Sequence, residues 1–279
     1  MTLGHATCGP CAKITSKVEL HVTRPIAGML RQRWGIQTRK PKNRELIPKK
    51  LKFADGERIV KVRAQDFPSM LSYPMFGRPG VIEGRPREGS YRAADPPWSM
   101  GQDDSFIETA EAFNRKYGCI GFELARMQPA LLMTFMAKVG HAAGIALLGQ
   151  DSFTPLVARA AIFPNEVFDD FLGGGGAFRP NPEVLHSIEV RQVDGPRGEL
   201  IFARLHWFAC LTQGRDSTLT TYAEAGPPSF MAIIGRPVDD RFRNKIGHLT
   251  VRTNGDEVCE VQPMRAPDMY VPAPSLQRL

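Results

Sequence analysis

Two cysteines near the start of the chain are the residues whose type and spacing most directly suggest chemistry. Cys8-Gly9-Pro10-Cys11 is a C-x-x-C knuckle. Two thiolates at that spacing converge on one point and can form half of a tetrahedral zinc site. A closed structural site needs four ligands, and upstream of Cys8 only His5 can supply one. Three readings stay open from the residues alone: a remnant or partial zinc site, two plain thiols with no metal, and a redox pair. The redox reading needs a preceding strand and a thioredoxin-like context, and no strand pattern comes before Cys8.

A second feature is the placement of charge. The chain of 279 residues carries a net +7, yet between Lys13 and Arg63 there are 15 Lys and Arg against 4 acids, Glu19, Glu45, Asp55 and Glu57. That segment is therefore +11 and the remainder −4. Such asymmetry suits an acidic partner, nucleic acid above all, and equally suits a solvated basic face or a flexible arm. The candidate phosphate contacts are Lys13, Lys17, Arg24, Arg31, Arg33, Arg39, Lys40, Lys42 and Arg44.

Other constellations carry less. Lys138 and His141 stand three apart on a helix-like stretch, with Asp151 close in sequence, and an acid–base site can be drawn from the three. No nucleophile or second carboxylate accompanies them, so a polar edge beside a core stripe explains them as well. His21 and Glu19 point to different faces of a helix and do not share an ion. Gly173 to Gly176 lack the Gly-Lys-Ser/Thr ending of a phosphate loop and read as a flexible turn. His206-Trp207-Phe208 and Phe230 offer aromatics that can stack bases, but their alternation is what a half-buried strand shows.

The elements that must position these residues form an α+β pattern, helices and antiparallel strands in blocks. A helix is expected over Lys13–Thr23, broken or restarted at Pro25. A hairpin follows, Leu46–Ala54 and Arg58–Ala64 around Asp55-Gly56. Residues 77–103, rich in Pro and Gly, read as a long irregular connection with one short strand at Gly80–Glu83. Helices are expected over Ser105–Lys116, Gln128–Leu148 and Ser152–Ile162. The second of these has Pro129 in its first turn and a stripe of Leu132, Phe135, Met136, Val139, Ala143 and Ala146. Strands are expected at Cys119–Leu124, Leu185–Gln192, Leu200–Leu211, Phe230–Ile234 and Leu249–Arg252. The domain reading is a basic segment 1–64, a connection 65–103, an α+β body 104–262 and a loose tail 263–279. The apolar stretches fall short of the roughly 18–20 residues of a membrane span, and the N-terminus lacks the pattern of a secretory signal. Five cysteines, three of them isolated among apolar neighbours (Cys119, Cys210, Cys259), suit a reducing cytoplasm.

Leu3-Gly4-His5-Ala6-Thr7-Cys8-Gly9-Pro10-Cys11-Ala12-Lys13-Ile14-Thr15-Ser16-Lys17-Val18-Glu19 resembles the second half of an HNH-endonuclease-like zinc domain, of the form found at the start of many bacterial proteins. The resemblance continues in Thr38–Arg44, in Ala137–Ala143, in Leu148-Gly149 and in Phe153–Leu156, and covers roughly residues 3–215. It implies Cys8 and Cys11 as structural zinc ligands and a helix opened by the second knuckle. In the family an earlier C-x-x-C and a hairpin with an acidic-His-Ile/Val-x-Pro stretch come first. That His is the general base on the attacking water, and a divalent metal stabilises the phosphate. This chain does not contain that hairpin, and Ala12 stands where a polar residue often follows the knuckle, so no catalytic position carries over. The expectation is a chain that begins late or has lost the hairpin: nuclease-related, nucleic-acid-associated and catalytically incomplete, with zinc at an incomplete site. The alternative is a non-catalytic interaction protein whose body, residues 104–260, binds a protein or small molecule. A third, of unrelated chemistry, is an enzyme centred on Lys138, His141 and Asp151.

Overall fold

The computed structural model describes residues 9–33, 46–68, 70–84, 93–101, 106–124, 127–163, 170–176, 181, 183–196, 198–209, 229–239, 245–252 and 257–263. The fold is α+β, and among the described residues every strand pairing is antiparallel.

Helix α1 (Gly9–Arg33) runs through Pro25 instead of stopping there. Proline removes one helical hydrogen bond and crowds the turn before it, a cost of about 3 kcal/mol. Tertiary packing offsets it. Thr15, Val18 and Val22 are buried on one face, and α1 lies against α4 (Pro129–Leu148). Lys138 of α4 donates to Thr15 Oγ1 at 2.6 Å and pairs with Glu19, one turn further along α1.

Strands β1 (Leu46–Phe53) and β2 (Gly56–Arg63) form the expected hairpin, in the register Leu46↔Arg63 to Phe53↔Gly56. The Asp55-Gly56 turn works because Gly56 takes φ +136, a region that side chains rarely adopt. The two-residue β5 (Gly121–Phe122) adds a third strand beside β1. It is all that remains of the strand expected over Cys119–Leu124. Helix α3 (Phe106–Tyr117) covers the inner face. Leu51, Val62, Phe67, Phe113 and Cys119 form a small core there, with the rings of Phe67, Phe113 and Phe122 packed edge to face at 5.3 Å.

Within 77–103, the described residues 77–84 and 93–101 are more regular than their Pro and Gly content suggests. Strands β3 (Met70–Phe76) and β4 (Ala93–Gly101) pair despite Pro96-Pro97, and Gly80–Glu83 is a single helical turn, α2, not a strand. Val81 and Ile82 of α2 pack on Leu200, Phe202 and Ile233, which drives that turn to close over apolar sheet.

The main body is a seven-stranded sheet in the order β12-β11-β8-β9-β10-β6, with β7 also beside β10. Its strands are β6 (Phe153–Pro155), β7 (Leu172–Gly176), β8 (Val184–Gly195), β9 (Gly198–Trp207), β10 (Ser229–Pro237), β11 (Lys245–Arg252) and β12 (Glu257–Pro263). The β8–β9 hairpin and strands β10 and β11 fall where the alternation put them. Strand β12 is an addition. The helix expected over Ser152–Ile162 is absent. Ser152 closes a 3-10 turn, its Oγ bonded to Leu148 O, and Phe153–Pro155 is a strand on the edge of β10. An edge strand accepts Pro155, whose missing N–H costs the ladder nothing there.

Helix α4 lies across this sheet and is buried on more than one side. Of the expected stripe, Leu132, Met136 and Ala143 are buried, while Phe135, Val139 and Ala146 are half-buried. Burial extends instead to Met133, Ala137, Gly140, Gly144 and Leu147. A Cβ on Gly140 would lie 3.1 Å from the Cβ atoms of Ala203 and Ala232, so the glycine sets how closely helix and sheet approach. By length and composition α4 could cross a membrane. In this fold it is the central core helix, between α1 and the sheet.

The four glycines at 173–176 are strand β7, not a flexible turn. A Cβ on Gly173 would sit 2.4 Å from Gly77 O, and one on Gly174 2.1 Å from Phe76 O. Backbone passes directly against backbone here, and Gly174 N–H donates to Gly77 O at 2.7 Å. Only glycine fits.

Candidate functional sites

The residues singled out from the sequence land in different surroundings. Lys13 and Lys17 are exposed one turn apart on α1, away from its buried face. Arg24, Arg31 and Arg33 lie further along the same helix, where only the backbone is described. Arg39, Lys40, Lys42 and Arg44 lie outside the described residues, as do His5 and Cys8. Cys11 sits half-buried on α1, near the beginning of the described residues. Among the described residues no group of three His, Cys, Asp or Glu gathers in a way that could hold a metal.

Lys138, His141 and Asp151 do not form a site. Lys138 reaches to α1, the His141 ring packs edge-on against Phe153 at 5.7 Å, and Asp151 is exposed in the turn after α4. Burial alone holds the His141 imidazole below its usual range. His21 is exposed. His206, Trp207 and Phe230 are buried in strands and Phe208 in the bend just after β9, and Trp207 packs against Phe135 at 4.9 Å.

Two arrangements were not picked out from the sequence. The first is the outer face of the β1–β2 hairpin. Alternation sends Ile47, Leu51 and Val62 to the small core and leaves Pro48, Lys50, Lys52, Ile59, Lys61 and Arg63 outside. Glu57 is the one acid on that face of the hairpin. It pairs with Lys50 at 2.5 Å and with Lys52 at 3.7 Å, and these cations hold its carboxyl below the usual range. Ile59, 76% exposed, stands in the middle of the cations. The face is anchored behind by Tyr117, whose hydroxyl accepts from Arg63 N–H at 2.9 Å and donates to Asp66 at 2.8 Å. Lys49 points inward, with its ammonium 4.0 Å from the centre of the Phe67 ring; burial lowers its pKa.

The second is a polar floor on the face of the large sheet opposite α4. Register builds it from three strands: Ser187 of β8 pairs with His206 of β9 and Thr250 of β11, and Glu189 pairs with Arg204 and His248. Arg191, next on that face of β8, places Nε 3.2 Å from Glu189 Oε1 and its guanidinium 5.0 Å from the centre of the Phe202 ring. Ser187 Oγ and His206 Nδ1 are hydrogen-bonded at 3.2 Å. Burial first, and then the charge of Arg204, push the His206 imidazole down to about 3. Burial likewise lowers Arg204; Glu189 opposes that shift, and Arg191 and Arg78 add to it. A histidine so hard to protonate is a poor general base near neutrality. The signal for it was the polar period of two in His186-Ser187-Ile188-Glu189-Val190-Arg191 and in Arg204-Leu205-His206. On the opposite face His186 is half-buried, desolvation lowers its imidazole to about 4, and its Nδ1 accepts from Phe208 N–H at 3.2 Å.

No protein-family model matches the chain, and neither does any curated protein or solved structure.

Proposed function

We propose that this is a nucleic-acid-binding protein that uses its basic N-terminal third to grip the phosphate backbone of duplex DNA without cutting it. The observation that carries this reading is the outer face of β1–β2, where Lys50, Lys52, Lys61 and Arg63 surround an exposed Ile59, with Glu57 the one acid of the described hairpin on that face and Glu123, beside β1, bearing on Lys50. A two-stranded ribbon fits the major groove of B-form DNA, about 12 Å wide, where cations reach phosphates and an apolar side chain meets a thymine methyl. Lys13 and Lys17 on α1 add cations; Arg24, Arg31, Arg33, Arg39, Lys40, Lys42 and Arg44 belong to the same basic segment. Phosphate contacts of this kind give affinity without sequence choice.

The resemblance to HNH endonucleases supplies the lineage: a zinc-type C-x-x-C at Cys8 and Cys11 that opens a helix. The helical conformation at Cys11 supports that part of the resemblance. Zinc, where bound, would sit at Cys8 and Cys11 and need further ligands to close a tetrahedron. No catalytic residue of the family carries over to a residue of this sequence, and the reading keeps to binding. The buried Cys119 thiol, bonded to Asn114 at 3.3 Å, suits a reducing cytoplasm.

The test is fluorescence anisotropy with a labelled 20-base-pair duplex from 50 to 200 mM salt. Four phosphate contacts give a slope of log K against log salt of about −4. A salt-independent affinity, or none at the lowest salt, overturns the proposal. Supercoiled plasmid incubated with the protein and Mg2+ or Mn2+ stays supercoiled; nicking that follows the protein through purification overturns the non-cutting half.

A further inference from the structure

The outer face of the β1–β2 hairpin has an internal order that phosphate binding alone does not need. Register sets its rows as Leu46 with Arg63, Pro48 with Lys61 and Ile59 with Lys50. Each of these rows puts one apolar side chain beside one cation. Ile59 is 76% exposed and Leu46 50% exposed, and Pro48 is exposed between them. The next row, Lys52 with Glu57, is charged on both strands. Side chains opposite or diagonal to one another on one face of a strand pair lie within about 8 Å, so Leu46, Pro48 and Ile59 make an apolar ridge with cations along its flanks. The ridge is not part of the small core, which takes Leu51 and Val62 from the other side of the same hairpin. A surface of this kind suits a partner that brings negative charge at its edges and apolar atoms between them.

We propose that Ile59 reads the C5 methyl group of thymine in the major groove, so that the protein prefers thymine-rich duplexes. The inference rests on the nucleic-acid reading above and adds a base preference to it. Of the four bases only thymine presents a methyl group in the major groove; the others present hydrogen-bond donors and acceptors. Isoleucine has neither donor nor acceptor, so a methyl is the groove feature that it can recognise. Strands about 4.8 Å apart make a ribbon that enters a groove about 12 Å wide. The ridge then lies over base edges, and the longer Lys50, Lys61 and Arg63 reach outward to the phosphates. Glu57 and Glu123 bear on Lys50, and Asp66 and Arg63 on each other; this weakens the positive field without covering Ile59. Phosphate contacts position the ribbon, and the contact to a base edge specifies.

Fluorescence anisotropy on the full chain at about 50 mM salt tests this. The probes are an alternating dA·dT duplex of about 20 base pairs and the same duplex with every thymine replaced by uracil, which removes the methyl and keeps the charge, donors and acceptors. Burying one methyl is worth about fourfold in affinity, so the parent is expected to bind the thymine duplex about fourfold more tightly. Ile59→Ala, an exposed position checked for folding by circular dichroism, is expected to bind the two duplexes equally and to keep the parent's salt slope. A dG·dC duplex carrying 5-methylcytosine is expected to gain over its unmethylated form with the parent and not with the variant. Equal, salt-dependent binding of the thymine and uracil duplexes by the parent overturns the inference and leaves the nucleic-acid reading standing. A thymine preference that persists in Ile59→Ala overturns the assignment to Ile59 and is a response to duplex shape. Failure to bind either duplex overturns both.

Discussion

Replacing Gly174 by alanine separates two accounts of the glycine run by the sign of the effect. A Cβ at that position would lie 2.1 Å from Phe76 O and 3.0 Å from Phe76 C, where ordinary contact begins at 3.4 Å. The obstruction is backbone on backbone, so no side chain can swing away, and β7 must separate from the Phe76–Gly77 segment by more than 1 Å. Overpacking of this kind costs about 1–3 kcal/mol. The Gly174 N–H bond to Gly77 O, 2.7 Å long, lengthens or breaks, adding about 1 kcal/mol. The total is about 2–4 kcal/mol, which for a chain of this size lowers Tm on the order of 5–10 °C. Were the run a flexible turn, alanine would restrict the unfolded chain and stabilise by about 0.4–1 kcal/mol. Urea denaturation followed by far-UV circular dichroism decides between them. A Gly174→Ala midpoint equal to or above the parent's, at an unchanged m-value, refutes the close-approach reasoning.

Other outcomes follow from the same structure. His186 and His206 are held neutral, at about 4 and about 3, against 6.5 unfolded. Between those values the unfolded chain binds more protons, so stability is full above pH 6.5 and falls as pH drops, by about 2.5 kcal/mol per pH unit near pH 5. Denaturation midpoints across pH 4.5–7.5 check this, and the slope is expected to shrink in His206→Gln. Lys138→Met removes the bridge to Thr15 and Glu19 at a partly exposed position, and is expected to cost about 0.5–1 kcal/mol in a urea titration; a loss beyond 3 kcal/mol would mean the lysine does more than dock α1. Tyr117→Phe strips the link between Arg63 N–H and Asp66 and is expected to cost about 1 kcal/mol, read by thermal melting.

What could be read from the chain was local. The Asp55-Gly56 hairpin, the start of α4 at Pro129, and the β8–β9 hairpin each announce themselves within a dozen residues by turn chemistry and period. What could not be read depends on partners far away in sequence. Pro25 stays in a helix because α4 holds α1, through the core around Val22 and through Lys138 on Thr15 and Glu19. Gly173 and Gly174 are strand because Phe76 and Gly77 pass beside them. The basic face was half visible, since Ile59, Lys61 and Arg63 alternate against Val60 and Val62. Joining them to Lys50 and Lys52 required the register. The polar floor was hidden further, because Glu189, Arg204 and His248 share a row only through three strands whose alternation, taken singly, describes any half-solvated sheet.

The central claim is that the β1–β2 outer face meets DNA phosphates, and the most direct measurement is the salt slope of duplex binding for the parent beside Lys61→Ala/Arg63→Ala. Each lost phosphate contact flattens the slope by about 1, so the double variant is predicted to run about 2 shallower while folding normally. Parallel salt dependences with equal affinity would contradict the account.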